Sequence, residues 1–205
     1  TQIEELDVSK NTELIELFCY NTKIKKVDVS ENEKLTWLWC DNTQIKELDV
    51  SQNVELTNLR CSDTSIKELN VSKNVNLINL SCDDTKIKEL DVSKNTELTN
   101  LSCGDTQIKE LDVSENVNLE VLWCYDSQID ELEVSENTKL RIKGEDFEFS
   151  ALHYTPYELE NARHKDELPN VYQTVLCINE KQMGIAGDDT WGAKTHDEFL
   201  LDKEK

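Results

Sequence analysis

The chain has 205 residues, with 43 acidic against 22 basic side chains, a net charge of −21, 37% hydrophobic residues and seven cysteines. That length allows one elongated domain with a small appendage rather than two large globular ones. The acidic balance excludes nucleic acid, which needs a basic footprint, and disfavours an acidic membrane surface; no apolar run is long enough for membrane insertion.

Read in chain order, a repeat appears at once. Asp7, Asp28, Asp49, Asn70, Asp91, Asp112 and Glu133 each open a triplet ending in Val-Ser, at a constant spacing of 21 residues. So short a unit cannot bury an apolar face alone, and its copies must stack into a solenoid. Within one copy the apolar positions are Leu98, Leu101, Cys103, Ile108, Leu111 and Val113, and the alternation Leu101-x-Cys103 predicts a strand with one buried face. The same columns begin with Leu14, Leu17, Cys19, Ile24, Val27 and Val29 and end with Leu119, Leu122, Cys124, Ile129, Leu132 and Val134.

The pattern LxxLxCxxTxIxxLDVSxN resembles the short leucine-rich repeats of bacterial surface proteins, with Thr22, Thr43, Thr64, Thr85 and Thr106 where many relatives carry Asn. The resemblance covers residues 1–142. It implies an α/β-type repeat protein, mostly β, a leucine-rich repeat solenoid with a parallel concave sheet. It also implies an extracellular or cell-surface location. Thr1 already stands in the threonine column, so a signal peptide or N-terminal cap is expected to precede it.

Cys19, Cys40, Cys61, Cys82, Cys103 and Cys124 form one column, while Cys177 lies outside it. A column spreads ligands along the solenoid axis, so structural zinc is not expected, and parallel Cβ vectors fit a disulfide torsion poorly. These cysteines read as buried thiols packing as small hydrophobes. The Ser, Asn and Thr columns read as side chains that bond backbone at the recurrent bends. The Lys46-Glu47, Lys67-Glu68, Lys88-Glu89 and Lys109-Glu110 pairs read as a solvated convex face.

Site residues are expected on the other face of the strands, the usual binding surface of the family it resembles. Phe18, Tyr20, Trp37, Trp39, Trp123 and Tyr125 all fall at outward strand positions. Phe18 and Trp39 share a column on adjacent coils, which predicts a contiguous apolar patch. Covering the bare solenoid end, or packing under the C-terminal tail, is the structural alternative for these rings. Between the aromatic clusters an acidic floor of Asp41, Asp63, Asp83, Asp84, Asp105 and Asp126, relieved by Arg60, favours a cationic partner. The expected ligand is a protein or peptide of basic character, bound by Phe18, Tyr20, Trp37, Trp39, Asp41, Arg60, Asp83, Asp84, Asp105, Trp123 and Tyr125. Glycan remains open, because the same rings stack on sugars. No metal and no cofactor are expected, the Asp spacing being dictated by the repeat rather than by a coordination sphere.

The pattern stops after Leu140, and Lys143 stands where the next apolar strand residue is due. Residues 143–205 are read as a small helical subdomain that caps the last coil. Helices are predicted at "YELENARH", over the apolar spacing of Leu168, Val171, Tyr172, Val175, Leu176 and Ile178, and after Thr195. Through Asp188, Trp191, Gly192, Lys194 and Thr195 the last stretch is similar to small peptidoglycan-binding helical modules. His153, His164, His196 and Cys177 lack the spacing of a dyad, and no nucleophile motif or phosphate loop is present, so no catalytic residue is assigned and the chain is not expected to be an enzyme. The sequence reading is a non-catalytic binding module of a bacterial surface or secreted protein. Its alternative is a wall-associated spacer that binds peptidoglycan or another glycan.

Overall fold

The computed structural model describes residues 2–129, 131–134, 136–137, 140–143, 148–152 and 175–179. Each repeat contributes one three-residue strand to a parallel sheet: β2 (Glu16–Phe18), β4 (Trp37–Trp39), β5 (Asn58–Arg60), β6 (Asn79–Ser81), β7 (Asn100–Ser102) and β9 (Val121–Trp123). Partners lie 21 residues apart, with Leu17, Leu38, Leu59, Leu80, Leu101 and Leu122 in one register line. The segments that end on the first residue of each triplet form two short parallel ladders, β1 (Leu6–Asp7) with β3 (Val27–Asp28) and β8 (Glu110–Asp112) with β10 (Glu131–Glu133). The Leu, Ile, Val and Cys columns fill one continuous core between these two sides, and most of its members from Leu35 to Leu122 are wholly buried.

At the C-terminal end of the repeats the count slips. Leu119 and Leu140 keep the 21-residue spacing, but β11 (Arg141–Lys143) pairs with β9 so that Ile142, not Lys143, lies opposite Leu122. Shortening by one residue puts a wholly buried isoleucine in the core line instead of a lysine, so hydrophobic register outweighs the sequence count. The sheet then reverses direction: β12 (Glu148–Leu152) pairs antiparallel with β11, and β13 (Val175–Asn179) antiparallel with β12.

No described residue is helical, and the helical spacing predicted through Val175, Leu176 and Ile178 is corrected. Val175–Asn179 is a strand with Ile178 opposite Phe149. A short apolar run suits a strand as well as a helix, and pairing with a segment some 27 residues earlier decides between them. The helices predicted at "YELENARH" and after Thr195, and His153, His164 and His196, lie outside the described residues.

Each polar column has its own task. The threonine hydroxyl donates to the cysteine carbonyl three residues before it, as in Thr43 to Cys40 and Thr64 to Cys61 at 2.8 Å. The Asp of the Asp-Val-Ser triplet accepts from the N–H of the Ser two residues on, as in Asp49 and Ser51 at 2.9 Å. The asparagine side chains do not bond within their own bend, although their backbone groups do. Asn74, wholly buried, donates to the carbonyls of Val50 and Asn53 on the preceding coil at 2.9 and 2.8 Å, and Asn32, Asn53, Asn95 and Asn116 repeat the arrangement. This ladder stitches coil to coil. It leaves each Oδ1 buried without a partner, a local cost that the two donated bonds offset.

The chain leaves each strand through a left-handed residue: Asn21, Asn42, Asp63, Asp84, Asp105 and Asp126 have φ between 47° and 54°. Asn and Asp tolerate that conformation better than other side chains, which explains why no third residue type fills this column. The six column cysteines are free thiols, all buried. Burial pushes the Cys19 and Cys124 thiols up to about 11 and the four between them well above their ordinary value.

Candidate functional site

Strand alternation puts three columns of side chains on the face away from the core. In order of coils they are Glu16, Trp37, Asn58, Asn79, Asn100, Val121; then Phe18, Trp39, Arg60, Ser81, Ser102, Trp123; then Tyr20, Asp41, Ser62, Asp83, Gly104, Tyr125. Aromatics therefore occupy both ends and small polar residues the middle.

At the N-terminal end four rings touch. Phe18 lies 4.9 Å from Trp39 and 6.5 Å from Trp37, Trp37 and Trp39 are 5.6 Å apart, and Tyr20 lies 6.4 Å from Trp39. Phe18 and Tyr20, on the outermost strand, keep nearly half their surface exposed. The Arg60 guanidinium sits 5.1 Å above the Trp39 ring, and its Nε contacts Asp41 Oδ2 at 3.0 Å. Asp41 also accepts from the Ser62 N–H at 3.0 Å. Burial raises the Asp41 pKa, against the opposing pull of Arg60 and that N–H.

The centre is organised by Asp83, a buried carboxylate to which no basic side chain among the described residues is bonded. Its Oδ1 accepts from Ser102 Oγ at 2.5 Å and the Gly104 N–H at 2.9 Å; its Oδ2 accepts from Ser81 Oγ at 2.9 Å and Ser62 Oγ at 3.2 Å. Several neutral donors can hold a buried carboxylate without a cation. Tyr125 completes the group by crossing Gly104. A Cβ on Gly104 would stand 2.8 Å from the Tyr125 ring and from its carbonyl, so only glycine lets the phenol lie flat here and reach Asp83. Burial, with Asp83, Asp84 and Asp105 nearby, pushes the Tyr125 phenol up to about 12.

The expected acidic floor takes a different form. Asp41 and Asp83 are on the strand face and both are engaged, one by Arg60 and a backbone N–H, the other by its donors. Asp63, Asp84, Asp105 and Asp126 occupy the left-handed turn at the rim, where backbone conformation accounts for them. Asp84 is raised by desolvation first and then by Asp105, Asp63 and Asp83. Among the described residues no group of three or more metal-binding side chains converges.

Between Arg60 and the Trp123–Tyr125 end lies a groove of about 430 Å³, with Asn79, Ser81, Asn100 and Ser102 on its floor. A larger depression, about 1000 Å³, lies beside β8 and β10, and its charged lining is mostly acidic, with Glu89, Glu110, Glu131 and Glu133 beside Lys88 and Lys109.

Comparison with known proteins decides the affiliation. The family described as "Beta galactosidase small chain" matches residues 84–205, more than half of the sequence. The chain belongs to this family. A β-galactosidase of Halalkalibacterium halodurans is 53% identical over 57 residues, 28% of this chain and 6% of that protein. The β-galactosidase of Streptococcus thermophilus is 54% identical over 55 residues, 27% and 5% of the two chains. A β-galactosidase small subunit of Latilactobacillus sakei is 41% identical over 58 residues, 28% and 18%. The chain thus spans a small fraction of these relatives' length.

Solved structures show the repeat fold. The leucine-rich repeat domain of APL1 superposes with a TM-score of 0.63 at 18% identity, covering 77% of this chain and 44% of that one. A leucine-rich repeat protein of Leptospira interrogans gives 0.60 at 23%, covering 63% and 36%.

These findings correct the sequence reading in two places. The expectation of a non-catalytic surface recognition module, with a wall spacer as alternative, and the expectation that the chain is not an enzyme, are overturned by the galactosidase match. Likewise, the Asp188 to Thr195 stretch compared with peptidoglycan-binding modules falls inside that match. The break in composition after residue 142, where both prolines and all three histidines appear, lies inside the matched span.

Proposed function

We propose that the chain is the small-chain component of a β-galactosidase and takes part in β-galactoside hydrolysis together with a larger chain. The match over residues 84–205, with identities above 50% to two β-galactosidases, carries this reading. We place a domain boundary after Ile142; the family match begins at residue 84, inside the solenoid, and runs on through residues 143–205. The repeat pattern favours a site of action outside the cell or at its surface. Assembly is tested by mixing the chain with a β-galactosidase large chain that lacks its small chain and following both by size-exclusion chromatography with light scattering. Co-elution as one species is expected; separate elution at micromolar concentrations of both would sink the proposal.

A further inference from the structure

Resting on that reading, we propose that the groove between Arg60 and Trp123 binds a neutral, galactose-containing oligosaccharide, which makes the strand face an accessory sugar site of the enzyme. Four consecutive strands, β5, β6, β7 and β9, form its base. Three strand spacings give a length of about 14 Å, room for a short chain of sugar rings rather than a single one.

The groove's chemistry selects the ligand class. Sugar hydroxyls both donate and accept, and the floor offers both. Asn100 Nδ2 donates to Asn79 Oδ1 at 2.8 Å and to Thr99 Oγ1 at 2.9 Å, which directs Asn79 Nδ2 as a donor and Asn100 Oδ1 as an acceptor toward a ligand. The Ser102 hydroxyl commits its hydrogen to Asp83 and so presents lone pairs. Trp123 and Tyr125 line the far end, and aromatic faces, negative at their centre, attract the C–H-bearing side of a pyranose. An apolar wall with a few placed polar groups is the usual make-up of a small-molecule site.

Charged ligands and peptides fit less well. Asp41 is paired with Arg60 and Asp83 is saturated by neutral donors, so neither carboxylate requires an incoming cation. β5, β6 and β7 each have strand neighbours on both sides, so a peptide backbone finds no edge to extend there.

The test is calorimetric titration of the full chain with β-1,4-galactotetraose, and with cellotetraose, its epimer at each C4. Saturable binding of galactotetraose is expected, at least tenfold weaker in Trp123→Ala and several-fold weaker in Asn79→Ala, with Lys88→Ala unchanged. Thermal melting of each variant separates lost binding from lost folding, and Asn79→Ala, a change on the floor, keeps the question open if Trp123→Ala melts early. No saturation, equal binding of cellotetraose, or binding indifferent to both groove variants would overturn the proposal. Chromogenic β-galactoside hydrolysis with the large chain is measured on the same samples. Activity without tetrasaccharide binding removes only the groove proposal, and binding without activity removes only the galactosidase reading.

Discussion

Asn74→Asp replaces one nitrogen by oxygen at the centre of the asparagine ladder and changes almost no volume. In the native chain Asn74 Nδ2 donates to the carbonyls of Val50 and Asn53 at 2.9 and 2.8 Å, and the residue is wholly buried. Each carbonyl keeps a backbone bond, from the Asn53 and Leu56 N–H groups. When protonated, the introduced carboxyl still donates once, so one bond is lost, about 1 kcal/mol. When ionised, it turns a negative oxygen toward two carbonyls, and an uncompensated buried charge costs about 3–5 kcal/mol. Its folded pKa must therefore rise above the ordinary aspartate value of about 3.9. For a raised folded pKa, stability is fully present below the unfolded value and is lost as pH rises through the folded one. Urea unfolding of the variant and the parent at pH 4 and pH 7 should show the stability gap widening from about 1 to at least 3 kcal/mol. Asn76→Asp, at an exposed side chain bonded only to the Val54 carbonyl, should stay within about 0.5 kcal/mol of the parent at both pH values. A gap for Asn74→Asp that is small or independent of pH would refute the ladder's role.

Gly104→Ala should destabilise by about 1–3 kcal/mol through overpacking and return the Tyr125 phenol toward its free titration range, as read by absorbance near 295 nm. The column thiols should resist Ellman's reagent in the native chain and all react on unfolding, because all six are buried. Acid should destabilise the solenoid. Asp7, Asp28 and Asp112 are held low chiefly by the following serine hydroxyl, and Asp49 and Asp91 chiefly by its backbone N–H. Lowered folded values give stability that is present above pH 3.8 and lost as pH falls through them, so an acid titration followed by circular dichroism should show a limb that flattens when these five residues are changed to Asn.

The repeat fold was legible because its signal is redundant: each core column is written once per coil, and a single unusual residue cannot shift it. The outward position of Phe18, Trp37, Trp39 and Trp123 followed from the same alternation. Which polar residues engage one another did not. Arg60 reaching Asp41 on the neighbouring coil, and Tyr125 crossing Gly104 to Asp83 two coils away, depend on side-chain length and on one missing Cβ. The rim aspartates meet a backbone requirement that a sequence does not distinguish from a binding charge. Ile142 shows the limit of counting, since burial pulled the register one residue back. In the tail each segment occurs once, and Val175–Asn179 takes its form from a partner strand that local spacing does not reveal.

The central claim is that the chain completes a β-galactosidase. Its most direct measurement is the rate of o-nitrophenyl β-galactoside hydrolysis by a large chain lacking its small chain, with the present chain titrated in. A saturable rise well above the sum of the two separate rates is expected, retained by Lys88→Ala and lost when residues 143–205 are deleted. A rate that stays at that sum across the whole titration, with both chains folded, would contradict it.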